Sequence, residues 1–352
     1  MRKTQLLLMS AAFAVTFTAC KKDDVIEMEQ PKVTHGLYVL NEGGFNQNNS
    51  TLTFYNTTNN TTTADIFRSA NGSDLGDTGN DMIVYGGKAY IVVNVTGTVE
   101  VVNINDAKSL KKIDFKSGGS SILPRYVIGY KNKVLVSSYD GTVAVVDTTS
   151  LTAEKFIKVG ANPEQMAIVN DKLYVANSGG YNPVYDSTVS EVDLLTMTEI
   201  KKIVVGLNPG SVTADNNGNV YVACTGDYGS TPAKLVKFNA ASGAIVKSAD
   251  TAVGKIYFYD NKLFTTGGYI GSPNVRVLNT TDFAQASANF VTDGTTINTP
   301  YGIAIDNLNG DVFVTDANNF TGTGSVTCFD KTGKKRYSFN AGVNPNTVVL
   351  LK

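Results

Sequence analysis

The stretch NPEQMAIVNDKLYVAN, Asn162 to Asn177, decides how this chain is read. Met166 to Val169 is a short apolar run, Asn170-Asp171 is a pair suited to a tight turn, and Leu173, Tyr174 and Val175 form a β-branched and aromatic run. That order specifies two antiparallel strands joined by a hairpin. Variants return as NDMIVYGGKAYIVVN from Asn80, PRYVIGYKNKVLVSSYD from Pro124, NPGSVTADNNGNVYVAC from Asn208 and PYGIAIDNLNGDVFVTDA from Pro300, with a weaker copy, VGKIYFYDNKLFTTGG, from Val253. With the second strand as marker, the seven copies centre on Tyr38, Tyr90, Leu135, Tyr174, Tyr221, Phe264 and Phe313.

Markers separated by roughly 40 to 50 residues have the period of β-propeller blades rather than of helical or leucine-rich repeats. After each marker come a loop, an alternating strand such as Thr188 to Val192, and a fourth strand such as Glu199 to Val205. The expected fold is therefore all-β: a seven-bladed β-propeller with four antiparallel strands per blade. A single blade cannot bury both of its faces, so the ring should fold as one unit spanning 35–352.

Of the 352 residues, 42% are hydrophobic and 17% charged, with a formal net charge of −1, so nothing in the charge balance points to nucleic acid. The amino terminus differs. Arg2 and Lys3 precede an apolar run from Leu6 to Phe17 closed by Thr18-Ala19-Cys20, the pattern of a secretory signal, 1–19, too short to span a bilayer. The small residue before Cys20 resembles a relaxed bacterial lipobox, which implies lipidation of Cys20; a cleaved signal with an unmodified cysteine is the alternative. Lys21-Lys22-Asp23-Asp24 resembles the signal that sends Bacteroidetes lipoproteins to the outer face of the outer membrane. Residues 20–34 then read as a polar, lipidated tether.

The repeat phase shows how the ring should close. The first copy, GLYVLNEGG from Gly36, lacks a first strand, and the last residues, NPNTVVLLK from Asn344, supply one and lack the rest. Thr347 to Leu351 is expected to pair beside Leu37 to Leu40, so that both chain ends complete one blade and neither leaves an open sheet edge. Cys224 and Cys328 fall in the fifth and seventh blades, which are not neighbours, and read as small buried strand residues rather than a disulfide.

Without tryptophan, and without Gly-His or Trp-Asp signatures, the chain is not a WD40 ring. KLYVAN and NVYVAC instead resemble the YVTN and NHL-like propellers of bacterial surface proteins, of the DUF5074 type. That resemblance covers the chain from about Thr34 onward and speaks to fold rather than function.

Loops that follow the second strands and loops that join blades emerge on one face. Six of the seven loops after second strands carry an aromatic residue among Gly, Asn, Asp or Ser: Phe45, Tyr139, Tyr181 with Tyr185, Tyr228, Tyr269 and Phe320. Only NVTGT from Asn94, in the second blade, lacks one. Rings with few torsions beside small flexible neighbours suit a binding rim; each could also fold back as a lid on its own blade. The interblade segments FRSANGSDLGDTGND from Phe67, SILPRY from Ser121 and INTPYG from Ile297 are expected to bring Arg68, Arg125 and Tyr301 toward the central opening. There the guanidinium groups would either meet ligand oxygens or pair with Asp74, Asp77 or Asp140.

His35 is the only histidine and belongs to the tether side, so no histidine-based triad or metal site is expected in the ring, and the site should hold no metal and no catalytic set. The face carboxylates Glu42, Asp74, Asp77, Asp140, Glu164, Asp186, Asp227 and Asp316 are scattered among the blades. Asp215-Asn216-Asn217-Gly218-Asn219 lacks the bidentate glutamate of an EF-hand and falls where the other blades have a hairpin turn. The Gly-rich loops precede no helix that would make them phosphate cradles. Asp147-Thr148-Thr149 and Asp186-Ser187-Thr188 resemble a short O-glycosylation acceptor of Bacteroidetes exported proteins.

GLYVLNEGGFNQNNSTLTFYN, RSANGSDLGD and LPRYVIGY are similar to the corresponding parts of Bacteroidetes surface propellers of the BtuG type. The resemblance implies a cell-surface lipoprotein that captures cobalamin or a related corrinoid and passes it to a TonB-dependent outer-membrane transporter, with Phe45, Arg68 and Arg125 inside the matching segments. It implies no enzymatic activity and no cofactor. A glycan- or protein-binding propeller is the alternative, and a propeller lactonase or lyase the third reading.

Overall fold

The structure, a computed structural model, describes residues 33–267 and 274–352. The expected signal peptide, the lipidation site Cys20 and all but the end of the tether lie outside the described residues, as does the rim candidate Tyr269. Seven four-stranded antiparallel sheets form the ring, each in simple sequential order except the one the two chain ends share. We number the blades in chain order. Their innermost strands are Pro345–Leu351 in blade 1, Gly79–Tyr85 in blade 2, Pro124–Tyr130 in blade 3, Pro163–Val169 in blade 4, Pro209–Ala214 in blade 5, Val253–Tyr259 in blade 6 and Pro300–Ile305 in blade 7.

The closing strand pairs as the repeat phase requires, with Leu37 opposite Leu350 and Leu40 opposite Thr347. The pairing reaches the first residue of the expected ring, as His35 N donates to Leu351 O. Thr34 is docked too, its hydroxyl donating to Asp306 Oδ2 at 2.5 Å while its carbonyl accepts from Thr57 Oγ1. Thr34 and His35 are therefore part of the ring's edge rather than free spacer.

Each blade buries its faces against its neighbours, which is why the second strands are apolar on both sides. The seven markers are all buried, from Tyr90 and Tyr174 at 0% exposure to Phe264 at 8%. Two marker tyrosines also bridge blades: Tyr38 Oη donates to Ile104 O at 2.8 Å and Tyr174 Oη to Ala240 O at 2.7 Å, each reaching the hairpin between the third and fourth strands of the next blade. A buried hydroxyl needs such an acceptor. Cys224 and Cys328 are buried free thiols in blades 5 and 7.

The ends of the second strands are set by buried asparagines. Asn177 Nδ2 donates to Thr188 Oγ1 at 3.0 Å and Ser190 Oγ at 2.9 Å, while its Oδ1 accepts from Gly160 N of the preceding blade. Asn41 repeats this with Thr51, Thr53 and Gly342 N. These amides hold the take-off points of the long loops while adjacent blades stay in register. Asp215 forms the expected hairpin turn, accepting from Asn217 N and Asn219 N.

Candidate functional site

The innermost strands share a feature the strand pattern does not disclose. In every blade the pairing of the first strand slips close to its start, at the end of the central channel, skipping two residues in blades 3, 4, 6 and 7 and one in blades 1, 2 and 5. From blade 1 to blade 7 the residues at the second and third positions of these strands are Asn346-Thr347, Asn80-Asp81, Arg125-Tyr126, Glu164-Gln165, Gly210-Ser211, Gly254-Lys255 and Tyr301-Gly302. Bulges re-aim side chains, and here they gather the ring's inner charges on one face.

Arg125 is the centre of this group. Its Nε donates to Glu164 Oε2 at 2.9 Å and its Nη1 to Asn80 Oδ1, whose amide in turn donates to Arg125 O at 2.5 Å. Tyr139 completes the arrangement, its hydroxyl donating to Glu164 Oε1 and its ring 4.8 Å from the guanidinium. Burial alone would lower the Arg125 pKa; Glu164, with Tyr139 and Tyr126, more than offsets it, so the guanidinium stays charged. Burial, reinforced by Glu164, raises the phenols of Tyr126 and Tyr139, which remain neutral donors.

Opposite, Tyr301 Oη donates to Glu42 Oε2 at 2.6 Å, and Lys255 Nζ lies 4.8 Å from the Tyr301 ring centroid. Burial lowers the Lys255 pKa, opposed by Glu42 and Asp81. Asp81 is pushed up to about 6 by burial, against Val127 N–H, Lys255 and Arg125, all of which favour the carboxylate. Gly210 and Gly254 occupy the positions that hold Arg125 and Glu164 in blades 3 and 4, so blades 5 and 6 leave room at the mouth. A cavity of about 250 Å³ fills that room, lined by Arg125, Tyr126, Glu164, Ser211, Tyr228 and Lys255 among others.

Around the mouth the expected aromatics meet in pairs rather than folding singly onto their own blades. Tyr139 and Tyr181 pack edge to face at 5.1 Å, Tyr185 and Tyr228 at 6.2 Å, and Tyr301 and Phe320 at 5.2 Å. The first two pairs join adjacent blades. Tyr181 and Tyr228 remain 68% and 70% exposed and Phe45 65%, so the rim presents bare rings to solvent.

Arg68 is not brought to the opening. Asp65 caps a short helix, Ile66–Asn71, that packs on the third strand of blade 1, and Asn71 at its end bonds Ala107 O and Ser109 N on the opposite side of blade 2. Arg68 thus lies on the outer flank, exposed and paired with Asp74 at 2.7 Å. The residue pattern IFRSAN is too short to announce a helix in competition with strands, which is why the segment reads as a loop.

The scattered carboxylates also separate by role. Asp77 accepts from Asn46 N and Asn48 N, holding the Phe45 loop; Asp186, Asp227 and Asp316 each bind backbone N–H groups of their own loops; Asp140 binds Thr142. Only Glu42, Glu164 and Asp81 belong to the mouth, and the loop pattern does not single out Asp81. Nor does it single out Lys255, Tyr126, Asn80 or Ser211. Their signal was present in the sequence as the two residues following the first residue of each blade's opening strand. No group of three metal-ligating side chains occurs among the described residues.

A larger cleft of about 540 Å³ opens on the other face between blades 6 and 7, beside the hairpin residues Asp260, Asn309 and Lys331. Its rings are already used in packing, Phe264 on Phe290 at 5.4 Å and Phe290 on Phe329 at 6.1 Å.

The chain belongs to the family described as Domain of unknown function (DUF5074), which matches residues 35–348. No curated protein matches it. Solved structures of similar fold include a quinonprotein alcohol dehydrogenase-like protein from Bacteroides thetaiotaomicron, with a TM-score of 0.64 and 16% identity over 90% of this chain and 78% of that one. Hydrazine synthase of Kuenenia stuttgartiensis aligns with a TM-score of 0.60 and 17% identity over 72% of this chain and 76% of that one. The computationally designed protein Ika8 aligns with a TM-score of 0.52 and 13% identity over 76% and 88%. At these identities the likeness is one of fold alone.

Proposed function

We propose that this propeller is a non-enzymatic capture protein, anchored by lipid at Cys20 on the outer face of the outer membrane. On its loop-rich face it binds a broad small molecule, cobalamin or a related corrinoid, and it delivers that ligand to a TonB-dependent transporter. The observation that carries the reading is the rim of paired aromatics around a polar mouth, of which Tyr181 and Tyr228 are largely exposed. A corrin is a wide, partly apolar disc with amide arms. Ring faces match the disc, and the asparagine, tyrosine and arginine groups of the mouth match the arms. The mouth's two glutamates are held by Arg125 and Tyr301, which favours orienting a ligand over moving protons.

The test mixes the purified protein with cyanocobalamin and removes free ligand on a desalting column. Red colour should elute with the protein, and a colourless protein fraction at micromolar concentration overturns the corrinoid assignment in favour of a glycan or protein ligand. Replacing Tyr181, Tyr185 and Tyr228 together by Ala should cost roughly 1 kcal/mol or more per lost stacking contact while the ring stays folded. Gly210→Phe should block capture with the same melting temperature, because a Cβ at Gly210 meets nothing within 4 Å and its φ is not positive.

A further inference from the structure

Three hydrogen-bond donors of the mouth make no side-chain hydrogen bond among the described residues. Lys255 Nζ, packed against the Tyr301 ring, makes no ion pair and donates no hydrogen bond among the described residues; the charges of Glu42 and Asp81 act on it from a distance, and Glu42 Oε2 accepts from Tyr301 Oη at 2.6 Å. Arg125 spends Nε on Glu164 and Nη1 on Asn80, and its Nη2 has no acceptor among the described residues. The Tyr126 hydroxyl has none among them either. Glu164 already accepts from Arg125 through one oxygen and from Tyr139 through the other. All three donors line the same cavity of about 250 Å³, in the space that Gly210 and Gly254 leave open.

We propose that Lys255, Arg125 Nη2 and Tyr126 form an anion subsite that takes a phosphate-type group of the bound ligand. The proposal rests on the reading of this face as the ligand-binding one. A tetrahedral anion supplies several acceptor oxygens to donors arriving from different blades, and a compact ammonium beside a forked guanidinium is suited to it. Burial of Lys255 works in the same direction, because an anion brought to it restores the charged form that burial disfavours. In a corrinoid, the group of this chemistry is the phosphodiester of the nucleotide tail, which cobinamide lacks. Free inorganic phosphate offers the same chemistry from another source.

Two arms test the subsite. In the first, lysines of the mature chain are acetylated under limiting reagent in inorganic phosphate or in chloride at equal ionic strength, and each site is read by mass spectrometry. Lys255 should be protected several-fold by phosphate while other lysines react equally in both buffers; equal rates at Lys255 overturn the proposal. In the second, cyanocobalamin and cobinamide are compared by calorimetry. The protein should prefer cobalamin by about tenfold or more, the worth of one charge-assisted hydrogen bond. Lys255→Gln should erase that preference, lowering cobalamin affinity more than cobinamide affinity, and Lys255→Arg should keep it. Equal affinity of the unmodified protein for both corrinoids overturns the subsite and leaves capture standing. Binding of neither overturns corrinoid capture, and the acetylation result then decides the subsite alone.

Discussion

Arg125→Met is the perturbation that most directly measures how the mouth is held. The Arg125 and Glu164 side chains are 20% and 11% exposed and meet at 2.9 Å. Removing one partner of a buried pair costs about 3 to 5 kcal/mol, because the other charge is left uncompensated. The mouth admits some water to Glu164, so the lower end, about 3 kcal/mol, applies, with the lost bond to Asn80 included. Glu164→Gln should cost less, about 1.5 kcal/mol, since the glutamine carbonyl can still accept from Arg125 Nε and the guanidinium keeps Asn80 and the Tyr139 ring. The double variant should fall well short of the sum of the two, with a coupling of about 1.5 kcal/mol. Urea unfolding followed by circular dichroism reads this directly. With a slope of about 3 kcal/mol per molar, Arg125→Met should lower the midpoint by about 1 M. A midpoint shift below about 0.3 M, or strict additivity in the double variant, would refute the argument that this pair organises the mouth.

Two further outcomes are expected. Deleting Pro345–Lys352 removes the closing strand of blade 1 and with it Asn346, whose amide donates to Gly79 O and Asn80 O, so cooperative thermal unfolding should be lost. Deleting residues 1–32 should shift the melting temperature by no more than about 2 °C, and a comparable loss from both truncations would contradict the closure argument. Asp81 supplies a pH dependence: its folded pKa, about 6, lies above its ordinary value of 3.8, so the folded state holds the proton more tightly. The stability this provides is fully present below about pH 4 and is lost as pH rises through about 6, by at most about 3 kcal/mol. Asp81→Asn should therefore gain on the unmodified protein between about pH 4 and 7 in urea midpoints, and a difference that stays constant with pH would rule this out.

The hairpin phrase was legible in sequence because its cause is local. Met166 to Val169, the Asn170-Asp171 turn and the Leu173 to Val175 run each choose their conformation within a few residues, and seven copies at one period leave little but a ring. The incomplete first and last copies likewise predicted the shared blade, since an unpaired edge must find its missing strand. The outward-facing aromatic loops were readable for the same reason: turn chemistry and strand order alone place them on one face. The site itself was not. Arg125, Glu164, Lys255 and Asn80 lie in four different blades, and they meet only because each innermost strand bulges at the channel mouth and re-aims the residues there. That bulge depends on how a strand pairs with its neighbour, which no local preference encodes. The diversion of Arg68 to the outer flank has the same origin, a short helix that exists because blade 1 offers it a surface. What the chain wrote by itself was the wheel and its closure; which charges face one another at the hub was decided by packing between distant blades.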